Sequence, residues 1–142
     1  MSTARILVVD DDRFSRLLVV SKAAAELGAE VLEADNGASA FSLLSREPVD
    51  LVILDLEMPG MNGFELLGCI RVHPRLQHLP VVVLTGKDNK ESLDRALMAG
   101  ATSFLTKPLN WACFGKHIGH ILHLAIAGRA PSPTEGSRTA TA

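Results

Sequence analysis

The sequence predicts an α/β fold in which a five-stranded parallel sheet is covered by helices on both faces. Three observations carry this. Five short apolar, β-rich runs recur along the chain. Stretches with helical spacing of apolar residues separate them. Three of the runs are apolar at every position rather than at alternate ones, as strands buried on both faces must be.

The runs fall at 6–9, 30–34, 51–54, 81–84 and 103–105, and those at 6–9, 51–54 and 81–84 are the continuously apolar ones. Phe14, Leu17, Leu18, Ala24 and Leu27 mark a first helix, and Ala40, Phe41 and Leu44 a second. Phe64, Leu67 and Ile70 mark a third, and Leu93, Ala96 and Leu97 a fourth. Trp111, Phe114, Ile118, Ile121, Leu122 and Ala125 mark a longer fifth. Gly28 and Gly100 stand where helices should stop, Asn36-Gly37 opens the second helix, and Pro80 precedes the fourth strand. The pattern is βα repeated five times. Residues 1–127 are expected to form one domain, and 128–142, without apolar periodicity, a flexible tail or linker.

Composition narrows the function classes. The chain has 142 residues, 14 Lys and Arg against 16 Asp and Glu, and a net charge of −2. With 47% hydrophobic and 21% charged residues it can bury a core. No basic stripe is present to grip a phosphate backbone, which argues against direct nucleic-acid binding. No run reaches the roughly 18 apolar residues of a membrane span, and the amino terminus lacks a signal-peptide pattern. Two cysteines, Cys69 and Cys113, cannot form a disulfide framework. A cytoplasmic protein is expected.

In an open parallel sheet, ligands bind outside the carboxyl ends of the strands, where strand order reverses. The first strand is followed by Asp10, Asp11 and Asp12, the third by Asp55, the fourth by Thr85 and Gly86, and the fifth by Thr106, Lys107 and Pro108. The second ends in Glu33-Ala34-Asp35, as suits a strand at the sheet edge. Strand order 2-1-3-4-5 places Asp10 and Asp11 beside Asp55. Clustered carboxylates require a cation, and hard oxygen ligands completed by water suit Mg²⁺ better than Zn²⁺. Lys107 supplies a fixed positive charge and Thr85 a hydroxyl. With the metal they would neutralise the oxygens of a phosphoryl group in transfer, and Asp55, the central carboxylate, would be the nucleophile.

These residues resemble a two-component response-regulator receiver domain of the single-domain, chemotaxis-regulator kind, which has the flavodoxin-like (βα)5 fold. The matching stretches are Ile-Leu-Val-Val-Asp-Asp-Asp (6–12), Leu-Val-Ile-Leu-Asp-Leu-Glu-Met-Pro-Gly-Met-Asn-Gly (51–63), Val-Val-Val-Leu-Thr-Gly (81–86), Ala-Gly-Ala (99–101) and Phe-Leu-Thr-Lys-Pro (104–108). They occur in order over about residues 5 to 125. The resemblance implies that Asp55 is the phosphoacceptor, that Asp11 ligates Mg²⁺ directly, and that Asp10 holds metal-bound water. It places Glu57 where a backbone carbonyl completes the metal site, Thr85 as the switch hydroxyl, Lys107 as the phosphate-pairing lysine and Phe104 as the switch aromatic. It further implies a cis peptide at Lys107-Pro108 and a phosphohistidine donor, on a sensor histidine kinase or a histidine phosphotransfer protein. The chain would catalyse only its own phosphorylation and dephosphorylation. Output would pass through the fourth-helix, fifth-strand and fifth-helix face to a downstream protein or into a homodimer. Glu57 and Lys87 flank the crevice with opposite charges and are expected to pair over it.

Other readings compete. A receiver cut from a larger regulator is one, since 107–111 resembles receivers joined to cyclic-dinucleotide output domains; a scaffold that has lost phosphorylation is another. A flavin carrier of the same topology is disfavoured by three carboxylates where Ser, Thr or Gly should hold phosphate. A phosphatase with an aspartyl nucleophile would want an acid two residues on, where Glu57 stands, but the Met-Pro-Gly turn and the expected lack of a cap domain count against turnover of external substrates. The Met58 to Gly63 segment is read as a turn shaping the loop after Asp55. His117, His120 and His123 recur every three residues and drift round the helix, so they are expected to face solvent or a partner. Gly115 and Gly119 each weaken a helix interior by about 1 kcal/mol.

Overall fold

The structure, a computed structural model, describes residues 3–58, 63–86 and 88–129. Strands and helices alternate: β1 (Arg5–Val9), α1 (Arg13–Leu27), β2 (Glu30–Ala34), α2 (Gly37–Arg46), β3 (Leu51–Asp55), α3 (Gly63–Val72), β4 (Val81–Gly86), α4 (Lys90–Met98), β5 (Ser103–Lys107) and α5 (Trp111–Arg129). The strands pair in parallel in the order β2-β1-β3-β4-β5, as expected. No described helix is long and apolar enough to cross a membrane.

The two-residue period of the strands sorts their apolar side chains into two cores. Leu7, Val9, Val52, Leu54, Val81 and Val83 point to one face and pack with Ala40, Leu44, Leu66, Leu67, Ile70 and Ala96 of α2, α3 and α4. Ile6, Val8, Leu51, Ile53, Val82 and Leu84 point to the other and meet Val19 and Ala23 of α1 and Phe114, Ile118 and Leu122 of α5. This double use is why three strands are apolar throughout. β5, at the edge, alternates between half-buried and exposed positions.

Three strands run further than their apolar runs. β3 includes Asp55, β4 includes Thr85 and Gly86, and β5 includes Thr106 and Lys107. The ladder is a backbone property and continues through polar residues, with Asp55 opposite Leu84 and Gly86 opposite Lys107. The site residues therefore belong to the sheet itself.

Helix ends follow the local chemistry. The Asp12 side chain accepts from Ser15 N at the start of α1, and Asn36 and Asn89 do the same for α2 and α4. Gly28 closes α1 at φ 62°, a left-handed conformation that costs a residue without a Cβ little. The inward face of α1 differs from expectation: Val19 and Ala23 are buried, whereas Phe14 is 71% exposed and Leu17, Leu18 and Ala24 are also exposed. The run Leu-Leu-Val-Val at 17–20 is apolar all round the helix, so spacing alone does not select its buried side.

On α5, a Cβ at Gly115 would meet the Glu26 side chain of α1, and one at Gly119 would lie 3.3 Å from Leu27 Cδ2. The two glycines thus seat α5 against α1, which offsets their helix cost. The helix reaches Arg129, and residues 130–142, most of the expected tail, lie outside those described. His120 and His123 are exposed, as expected, whereas His117 is half-buried with Nε2 2.8 Å from Ser103 Oγ of β5.

α4 buries only Ala96. Arginines tie it to α3. Arg95 of α4 lies 4.0 Å over the Phe64 ring. Arg71 of α3 donates to Gly100 O (2.8 Å), Leu79 O (2.7 Å), Gln77 O (3.3 Å) and Thr102 Oγ1 (3.3 Å), joining the segments before β4 and after α4.

Candidate functional site

The site is assembled by strand register. β1 and β3 are neighbours with Val9 opposite Leu54, so the next residues, Asp10 and Asp55, stand side by side. β4 then brings Thr85, and β5 brings Lys107 opposite Gly86. Among the described residues, the buried polar or charged side chains are Asp10, Asp55 and Thr85, all at this carboxyl end of the sheet. A polar group is kept dry only where partners or a ligand compensate its lost hydration.

Asp10, Asp11 and Asp55 each offer a carboxylate oxygen, and these oxygens lie within 4.8 Å of one another. Asp55 Oδ2 accepts from Lys107 Nζ at 2.7 Å, and Oδ1 accepts from the Glu57 backbone N–H at 2.9 Å. Asp10 Oδ1 accepts from the Asp12 backbone N–H at 2.9 Å, whereas Oδ2 is buried with no hydrogen-bond partner among the described residues. Glu57 is exposed, and its Oε1 lies 4.0 Å from Lys107 Nζ. Thr85 Oγ1 is buried and likewise has no hydrogen-bond partner among the described residues. Phe104 lies on the outward side of β5 and is 38% exposed. The Lys107-Pro108 peptide is cis.

The electrostatics follow from burial and crowding. Burial pushes the Asp10 carboxyl up to about 6; the Asp55 charge pushes the same way, while the Asp12 N–H bond and Lys107 oppose it. Burial alone would lower the Lys107 ammonium, but its bond to Asp55 and the charges of Asp55, Asp10 and Glu57 outweigh that and raise it. One cation thus faces a cluster of carboxylates.

The donor set fits a hard divalent cation. Oxygen atoms from three carboxylates converge, and among the described residues no His or Cys joins them and Asp10 Oδ2 has no other partner. Occupation would offset the Asp55 charge that adds to burial in raising Asp10.

Two features escaped the sequence reading. Gly63, the first residue of α3, is cradled so closely that a Cβ would lie 3.0 Å from Asp55 O and from Leu56 Cα. Its role is close approach to the end of β3, which a turn motif does not reveal. A cleft beside the crevice is lined by Ser15, Leu18, Lys107, Pro108, Leu109 and Trp111. It joins distant segments, so no local pattern announces it. The expected Glu57–Lys87 pair involves Lys87, and the turn after Met58 involves residues 59–62; both lie outside the described residues.

Comparison with known proteins bears directly on this arrangement. Residues 6–118 match the family model described as response regulator receiver domain. The chain is 39% identical over 108 residues to the response regulator PleD of Caulobacter vibrioides, covering 76% of this chain and 24% of that protein; it therefore spans about a quarter of PleD's length. It is 35% identical over 118 residues to the chemotaxis protein CheY-3 of Vibrio cholerae, covering 82% and 90% of the two chains. A response regulator structure from Chloroflexus aurantiacus superposes with a TM-score of 0.82 at 27% identity, covering 86% of this chain and 99% of the other. With the carboxylate cluster, the lysine and the threonine at the strand ends of this sheet, the chain belongs to the response regulator receiver domain family.

Proposed function

We propose that Asp55 accepts a phosphoryl group from a phosphohistidine on a sensor histidine kinase or histidine phosphotransfer protein. A carboxylate oxygen of Asp55 attacks phosphorus, the P–N bond breaks, and its electron pair returns to the imidazole, which takes up a proton. The observation that carries this is the Lys107 Nζ–Asp55 Oδ2 contact of 2.7 Å inside the three-carboxylate cluster. Asp10, Asp11, Asp55 and the Glu57 carbonyl would hold Mg²⁺, which when bound supplies charge neutralisation for the phosphoryl oxygens. Lys107 pairs with another of those oxygens, and the Thr85 hydroxyl, unpartnered among the described residues, donates to a third. Water later attacks phosphorus, the P–O bond to Asp55 breaks, and inorganic phosphate leaves as the carboxylate is regenerated.

Output runs through the α4, β5 and α5 face. Met98 is 89% exposed there, with Leu97 and Phe104 also exposed, which supports an apolar surface for a downstream protein or a second copy. Withdrawal of Thr85 toward the phosphoryl group frees space that the Phe104 ring takes, and the face changes its partner affinity. The short span relative to PleD supports a second reading, a receiver acting within a longer regulator, with the same chemistry.

The test is phosphorylation by a phosphohistidine donor or acetyl phosphate with Mg²⁺, followed by intact-mass measurement. One acid-stable, base-labile phosphoryl group per chain is expected, and none in Asp55→Asn. Full labelling of that variant overturns the assignment, and no labelling of the wild type favours a scaffold. Sedimentation at several concentrations, with and without a phosphoryl mimic, separates a dimer from a hetero-partner output.

A further inference from the structure

We propose that Arg16 is a positioning residue for the cation site, acting through the backbone of Asp10. The inference rests on the reading of Asp10, Asp11 and Asp55 as the cation's carboxylates. Arg16 stands one turn into α1, yet its side chain is only 14% exposed. Its Nη1 donates to the Asp10 carbonyl oxygen at 2.7 Å, and its Nε donates to Glu33 Oε1 of β2 at 2.9 Å. The guanidinium therefore spans from the neighbouring strand to the first residue beyond β1.

The Asp10 peptides are consequently fixed on both sides. Asp10 N donates to Ala34 O at 3.1 Å, and its carbonyl is held by Arg16, itself anchored to Glu33 of the same strand, β2. Asp10 Oδ1 is tied to the Asp12 N–H, which leaves Oδ2 aimed into the cluster. With Oδ1 fixed, the remaining freedom that could swing Oδ2 away is backbone rotation about Asp10, and that is the rotation Arg16 blocks. The α1 N-terminus closes the arrangement: Arg16 N donates to Asp12 O at 2.9 Å and Ser15 N to Asp12 Oδ2 at 2.9 Å. Arg16 thus couples the loop 10–12 to helix and sheet at once.

Charge and position predict opposite signs. A guanidinium near a cation site repels the cation, so a purely electrostatic Arg16 weakens binding and its removal tightens it. A positioning Arg16 strengthens binding, and its removal loosens it. Partners that orient metal ligands typically contribute tenfold or more to affinity.

Mg²⁺ affinity is measured by calorimetry on the wild type, Arg16→Met and Arg16→Lys, with urea unfolding to establish that each is folded. Arg16→Met is expected to bind about tenfold more weakly. Arg16→Lys keeps the charge but cannot bond the Asp10 carbonyl and Glu33 together, so a severalfold loss is expected there too. Unchanged or tighter binding in folded Arg16→Met overturns the proposal; should that variant not fold, unchanged binding in Arg16→Lys overturns it. A wild type that binds no Mg²⁺ overturns the cation reading and this proposal with it, whereas a binding wild type with indifferent variants overturns this proposal alone.

Discussion

Lys107 Nζ and Asp55 Oδ2 stand 2.7 Å apart at the ends of β5 and β3, two strands separated by β4. In the structure this ammonium pairs with the Asp55 carboxylate; in the proposed transfer it would pair instead with a phosphoryl oxygen. Lys107→Met removes that donor, and loss of one such preorganised donor slows a charge-developing step by roughly a hundredfold or more. Phosphoryl transfer to Asp55, followed by quenched-flow labelling, should slow accordingly. Mg²⁺ affinity should hold or rise, because a cation has left the site.

The buried carboxyl of Asp10 gives the cation-free protein an inverted pH response. Its folded pKa is raised from 3.8 to about 6, so the folded state holds the proton more tightly than the unfolded chain. The stabilisation from this proton is complete below pH 3.8 and disappears as pH rises through about 6. At one pKa unit per 1.36 kcal/mol, the span is about 3 kcal/mol. Urea unfolding without divalent cations should show this contribution falling between those pH values. Asp10→Asn should remove the trend and stabilise the cation-free protein near pH 7, while abolishing Mg²⁺ binding.

Gly63→Ala tests the cradle behind the acceptor. The new Cβ would press on Asp55 O and Leu56 Cα at 3.0 Å, backbone atoms that cannot step aside as a side chain can. A destabilisation of roughly 1–3 kcal/mol is expected from this overpacking, with slower phosphorylation because Asp55 moves with its carbonyl. Chemical denaturation and labelling rates read the two effects separately.

Arg71→Met keeps much of the side-chain length but removes four donations to Gly100, Leu79, Gln77 and Thr102. Several acceptors lose their donor together, which should cost about 2–4 kcal/mol in urea unfolding. Hydrogen exchange should quicken most in α4, because Ala96 is its sole buried residue.

The sequence made the sheet legible because parallel strands buried on both faces leave unbroken apolar runs, as at 51–54 and 81–84. The crevice was legible because Asp10, Asp55 and Thr85 directly follow those runs and Lys107 stands two residues beyond the fifth. The face of α1 was not: Phe14, Leu17 and Leu18 are apolar but exposed, and Leu-Leu-Val-Val at 17–20 fits either orientation. Nor was Arg16 legible, because its contacts reach a backbone carbonyl and a carboxylate 17 residues away on β2. Arg71 escaped for the same reason, since a guanidinium gripping carbonyls leaves no charge pattern in the chain.

The strand pairings act as a ruler for the chemistry. Gly86 faces Lys107 and Thr85 faces Thr106, so a one-residue slip of β5 along β4 would carry the ammonium about 3.3 Å along the sheet and turn it to the opposite face. A threonine would then stand where the cation belongs. The register is held by the apolar packing of Val82, Leu84 and Leu105 with the α5 residues they meet beneath the sheet. Errors of packing in that apolar layer would therefore surface as lost phosphoryl acceptance, with every charged residue of the site still in the sequence.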